Sequence, residues 1–141
     1  MKNLVKNSSF IICLGLFILS CSENRKEEIK LQQYTYQGSE LYKVHCTNCH
    51  QADGSGLGKL IPPIDSTYLS TNLTQVICGI KYGLTGAMTI QNIHFDKDMP
   101  GNTRLTALEI AEIVTYIDQK WGKKRGIIRP KVVSKALRDC Q

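Results

Sequence analysis

Cys46-Thr47-Asn48-Cys49-His50 places two thiols and an imidazole within five residues. At this spacing each thiol can reach one vinyl group of a porphyrin, and the imidazole that follows then falls under the iron. The C-x-x-C-H pattern is that of covalent haem attachment, here through Cys46 and Cys49 with His50 on the metal. Iron bound on one side by imidazole takes, in most electron carriers, a soft sixth ligand on the other. Met99 in Asp98-Met99-Pro100-Gly101 is the candidate, in a loop held by Pro100. A thioether favours ferrous iron, so His50 and Met99 together would raise the potential and close the metal to substrates. That is the chemistry of single-electron transfer rather than of oxygen or peroxide turnover.

Other residues compete for these roles. Met88 lacks a following proline and reads as a packing residue. His94 is a weaker replacement ligand than Met99, and Phe95 beside it is expected to pack against the haem. A helix turns His45 about 100° away from Cys46, which makes it a surface histidine. The same thiols could form half of a zinc site, but Cys78, Cys140, His45 and His94 offer no second paired spacing. A thioredoxin-like dithiol would need a βαβ frame, for which there is no strand pattern.

Six cysteines are present. Cys13 falls in an apolar run, Phe10 to Leu19, behind Lys2 and Lys6, which is the layout of a secretory signal over residues 1–20. The run ends in Ile18-Leu19-Ser20-Cys21, which resembles a bacterial lipobox. Cleavage would then fall before Cys21, whose sulfur and amine would carry acyl chains, enough for stable anchoring. A plain signal cut nearby, or an uncleaved anchor, is the alternative. The lipoprotein reading implies a cell-envelope location, facing the periplasm or the exterior. Cys78 and Cys140 are then an even pair in a compartment where disulfides form. A bridge between them would close a loop of about 60 residues, worth on the order of 4 kcal/mol. Two independent thiols, one buried and one at a frayed end, are the other reading.

The net charge of +6 is unevenly spread. Residues 34–117 carry five basic and seven acidic groups, and residues 118–141 eight basic and two acidic. No nucleic-acid partner is expected of an exported chain without a binding motif. A basic C-terminal tail, 123–141, suits acidic lipid head groups or an acidic protein face, or is simply solvated.

The elements that must position the chemistry follow from pattern. Residues 21–33 are polar and charge-mixed and read as a flexible tether from Cys21. A short helix is expected over Gly38–Cys46. Residues 52–64 form a glycine-rich loop with Pro62-Pro63, and Asp65 or Ser66 caps a turn at Tyr68-Leu69. Asn72 caps a helix through Val76, Ile77 and Ile80 that Gly83 closes. Residues 84–102 read as irregular. Thr106 and Glu109 form a capping box ahead of Ile110, Ile113, Val114, Ile117 and Trp121, which share one helical face that ends at Gly122. The expected fold is all-α, about three to four helices in a 34–122 domain with long loops around one haem.

In these residues the chain resembles the class I c-type cytochromes, specifically mono-haem bacterial lipoprotein members. The likeness rests on Gly38 and Tyr42, Cys46 to His50, Asp53-Gly54-Ser55-Gly56, Ile61-Pro62-Pro63-Ile64, Gly79, Gly83, Met99-Pro100, and Glu112 to Ile117 with Trp121-Gly122. It implies that the first and last helices cross, with Gly38 near Tyr116, and that the carbonyl of Pro62 or Pro63 receives an N–H of His50. It also implies one covalent haem c and no catalysis of the chain's own. The partners implied are redox proteins or membrane respiratory complexes, with the membrane reached through the lipid and no small-molecule substrate. The alternatives are a subunit of a larger oxidase or reductase, and a haem-based gas sensor.

Overall fold

The computed structural model describes the backbone of residues 2–140 and the side chains of residues 23–140. The proposed lipid site at Cys21 lies outside the described side chains. The chain divides after Gln32 into two compact units. Helix α1, Lys2–His45, runs through both. Residues 22–33, expected to be a flexible tether, are therefore helical. Nine of its twelve residues are Glu, Lys, Arg, Gln or Leu, all strong helix formers. Lys26 pairs with Glu23 one turn back at 3.6 Å. Local propensity can sustain a helix that has no apolar period.

The second unit is Gln33–Gln141, so it takes in the segment expected to be a tail beyond residue 122. After α1 come α2, Thr47–His50; α3, Ser66–Thr71; and α4, Leu73–Tyr82. Two short antiparallel ladders follow, made by β1 (Gly83–Leu84) with β4 (Met99–Pro100), and β2 (Met88–Ile90) with β3 (Ile93–Phe95). The last helices are α5, Ala107–Trp121, and α6, Pro130–Asp139. The count is six helices among the described residues, against the three to four expected.

Capping explains where several of these begin and end. Asp65 accepts from the Tyr68 amide at 2.7 Å and starts α3. The Thr106–Glu109 box closes in both directions: Glu109 N–H donates to Thr106 Oγ1 at 3.3 Å, and Thr106 N–H donates to Glu109 Oε2 at 2.7 Å. Gly122 ends α5, its N–H bonding back to Asp118 O at 3.0 Å.

The core lies between α4, α5 and α6. Ile77, Ile110, Val114 and Val133 are fully buried there. The α1–α5 crossing is tight: a Cβ on Gly38 would overlap the Glu112 carbonyl and come within 2.8 Å of Tyr116 Cβ. Only glycine permits that approach.

Residues 123–140 are not a solvated tail. Asp118 is completely buried on α5, and Arg125 folds back onto it through its backbone N at 2.7 Å, Nε at 3.0 Å and Nη2 at 2.8 Å. A buried carboxylate requires such pairing. Ile128 then donates to the buried Thr115 hydroxyl at 3.0 Å, and Val133 and Ala136 enter the core. Cys140 bonds to Cys78 of α4, with Cα atoms 5.8 Å apart.

The haem-attachment site

Tyr42 of α1 is 2% exposed, and its hydroxyl donates to the Gln51 carbonyl at 2.9 Å. That bond reaches over the thiol motif from one flank to the other. Between them α2 is a single turn, in which the Cys49 and His50 amides both donate to Cys46 O, at 3.1 and 2.9 Å. The turn carries both thiols and the imidazole on one short, rigid piece. Gln51, just beyond, has φ 63 and ψ 162, a region that costs a non-glycine residue about 1–3 kcal/mol. Burial, with smaller contributions from Cys46, Tyr116 and Asp53, raises the Tyr42 phenol far above its usual value.

One cavity takes in Cys46, Cys49, His50 and Met99 together. Its walls are mostly aliphatic, with Ile64, Leu69, Val76, Ile80, Ile113 and Ile117 among them. Asp65, Lys97 and Asp98 are the charged residues in its lining. Asp65 also accepts from Gln91 Nε2 at 3.1 Å, tying α3 to the turn of the β2–β3 hairpin. Its amide contacts, Tyr68 first and then Gln91, hold the carboxyl below its usual range.

His50 is kept neutral. Burial lowers its pKa, and the Pro62 carbonyl, placed to accept from the ring, partly offsets the fall. The carbonyl that bears on His50 is thus that of Pro62. Nδ1 of the ring is buried and closes no hydrogen bond of good geometry among the described residues. Neutral imidazole is the form that binds a metal.

Met99 is placed by backbone. It pairs with Leu84 across the β1–β4 ladder, and Gly83 pairs with Pro100. Gly83 has φ 90, and a Cβ there would stand 2.7 Å from Met99 O. The glycine that ends α4 therefore also lets the methionine strand lie against it.

Other expectations are redistributed. Phe95 is 1% exposed but does not line the cavity; Met88, its cross-strand neighbour, does. Met88 was expected only to pack, and no sequence signal separates the two, because a three-residue ladder is too short to show its phase. His94 is exposed on β3, outside the cavity lining. His45 is also exposed, 3.4 Å from Asn102 Nδ2 through its Nδ1. Trp121 packs with Tyr42 and Tyr116, ring centroids 5.3 and 5.6 Å away.

These residues fit a covalent haem. Cys46 and Cys49 are free thiols, whereas Cys78 and Cys140 are bonded to each other. Burial and the neighbouring Cys49 push the Cys46 thiol up to about 11 before any thioether forms. A neutral imidazole, two thiols and a methionine around one apolar cavity suit no hydrophilic ligand. Among the described residues no cluster of His, Cys, Asp and Glu could hold a bare metal ion instead.

A mostly helical fold with such a site defines a small haem-carrying electron-transfer domain. The cytochrome c family model matches residues 36–121, and the chain belongs to that family and carries covalently bound haem c. It is 32% identical over 91 residues to the cytochrome c subunit of a quinone alcohol dehydrogenase from Gluconacetobacter polyoxogenes, and equally to that from Komagataeibacter europaeus. Those alignments cover 62% of this chain, which spans only 19% of the subunits' length. It is 25% identical over 96 residues to cytochrome c-552 of Thermus thermophilus, covering 64% of this chain and 72% of that protein.

Proposed function

We propose that this protein is a membrane-anchored one-electron carrier with a single haem c, held by lipid on Cys21 and facing the periplasm or cell exterior. The observation that supports it best is the joint lining of one apolar cavity by Cys46, Cys49, His50 and Met99. Haem c, when bound, supplies an iron that alternates between ferric and ferrous. Cys46 and Cys49 would hold the ring as thioethers, and His50 and Met99 would be the axial ligands. The aliphatic walls exclude water, so less solvent must reorient when the charge changes. With His50 and Met99 both holding the iron, the site would leave no place for a substrate, and the chain would be a carrier rather than an enzyme. Its partners are then redox proteins or membrane complexes.

The test is optical. The full chain is matured in a host that attaches haem covalently, and reduced-minus-oxidised spectra are recorded before and after acid–acetone extraction. Sharp bands that stay with the protein, and a sulfur-to-iron band in the oxidised form, are expected. Met99→Ala should abolish that band, lower the potential and admit carbon monoxide. A colourless protein, from a host that matures a control cytochrome, overturns the reading. A shift of the protein from the membrane to the soluble fraction in Cys21→Ser tests the anchor separately.

The likeness to dehydrogenase cytochrome subunits supports a second reading, a fixed subunit of a larger complex. Native electrophoresis of gently solubilised membranes separates the two. The carrier runs alone, and the subunit co-migrates with a larger partner.

A further inference from the structure

Helix α6 is a capping element with an unusual outside. Its buried residues, Val133 and Ala136, lie on one side of the helix. Lys131, Lys135 and Arg138 recur at four and three residues, so they form a stripe on the opposite side. All three are exposed, and Arg138 also donates to Ser134 O at 3.0 Å. Exposed Lys123 and Lys124 lie in the segment leading to the helix. The one acidic residue on α6 is Asp139, at its end. Val132 is 45% exposed beside the stripe.

The stripe is held rigidly. The bond to Cys78, the Arg125–Asp118 pairing and the buried Val133 fix α6 on α4 and α5. Capping the core needs only the inner face, so nothing in the packing calls for the row of cations outside. The stripe is also remote from the redox site. The cavity lining ends at Ile117, and none of it comes from α6. Ile113 and Ile117 face the cavity from α5, while Thr115 and Asp118 of the same helix meet the segment that leads into α6. A redox protein must approach the haem, and α6 offers it no route there.

We propose that the outer face of α6, with Lys123 and Lys124, docks on an anionic phospholipid bilayer. This rests on the reading that the chain works at a membrane. Basic side chains close to an anionic surface each strengthen binding about fivefold, and an exposed valine among them can enter the interface. Docked this way, the domain keeps its haem cavity off the lipid and open to a partner.

The test uses the full haem-loaded chain carrying Cys21→Ser, which removes the acyl anchor. Co-sedimentation is measured with phosphatidylcholine vesicles and with vesicles that also contain phosphatidylglycerol. Tighter binding to the anionic vesicles is expected, and it should fade with salt. Lys131→Gln, Lys135→Gln and Arg138→Gln together should weaken it roughly a hundredfold. The haem bands and melting curve show that the triple variant is folded. Equal binding to both vesicle types, or a triple variant that binds anionic vesicles like its parent, overturns the proposal. Recovery of the same stripe on an acidic protein in place of anionic vesicles does so as well. Intact haem bands in any of these cases leave the electron-carrier reading standing, so the two failures are distinguishable.

Discussion

Residues 51–65 and 84–102 supply loop walls of the cavity, and α4 and α5, which line it with one face, pack against α6 with another, yet the two regions hold their shape by different means. Behind the cavity, Ile77, Ile110, Val114 and Val133 bury one another completely. A disulfide and the buried Asp118–Arg125 pair close that side. Around the cavity, order comes from scattered backbone bonds, such as Ile64 N–H to Gly54 O at 2.8 Å and Gly56 N–H to His50 O at 3.1 Å. Many aliphatic side chains there face the cavity rather than one another. The frame supplies its own core, and the loops use a haem as theirs. Long loops in a small domain are expected to need such a partner.

The sharpest break of this contrast is Cys46→Ser with Cys49→Ser. Covalent haem should be lost entirely. Hydrogen exchange should then become fast across 51–65 and 84–102, while α4, α5 and α6 keep their protection. Equal loss in both regions would show that the frame, too, depends on the haem.

Cys78→Ser with Cys140→Ser attacks the frame instead. The bond closes a loop with a sequence separation of 62. Its removal should cost about 4 kcal/mol in denaturant unfolding, with the haem spectrum unchanged. A change in the spectrum would show that α6 supports the site as well as the core.

Tyr42→Phe probes the seam between the regions. It leaves the Gln51 carbonyl without its 2.9 Å donor, at a cost of about 1–3 kcal/mol. The loss should fall first on protection in the stretch after His50.

The smallest effect belongs to the α5 cap. Thr106→Ala should cost about 1 kcal/mol. The Thr106 amide and hydroxyl hold Glu109 below its usual value of 4.5. A carboxylate depressed in the folded state stabilises above its unfolded pKa, and that contribution is lost as pH falls through the folded one. As the pH falls below the usual Glu109 value of 4.5, the parent should therefore lose stability more steeply than Thr106→Ala. Parallel pH curves would show that the Thr106 hydroxyl adds nothing to acid sensitivity beyond its backbone N–H.

The sequence is most legible where the physics is local. The thiol motif, the Thr106–Glu109 box and the glycines ending α4 and α5 each act within a few residues. Phe95 and Met88 could not be sorted, because strands of two and three residues carry no readable alternation. The fold-back of 123–140 depends on Asp118, whose burial is a tertiary fact. Yet α6 left a signal, with Pro130 at its first turn and Val133, Ala136 and Leu137 at helical spacing. The density of lysine and arginine in the same stretch masks that spacing. In residues 22–33, helix-forming composition outweighed the missing apolar period.

The Cys78–Cys140 bond also sets a sorting problem for biogenesis. Four described cysteines share one chain; two must become oxidised, and two must stay reduced until their S–H bonds add across the porphyrin vinyl groups. A first bond among four thiols can form in six ways, and only the joining of Cys78 to Cys140 leaves the Cys46 and Cys49 thiols for the cofactor. Cys140 is the last of the four to emerge during synthesis, so every wrong partner is present before the right one. Unless haem attachment or a reductant protects Cys46 and Cys49 during that interval, the bond that steadies the frame competes with the chemistry that fills the cavity.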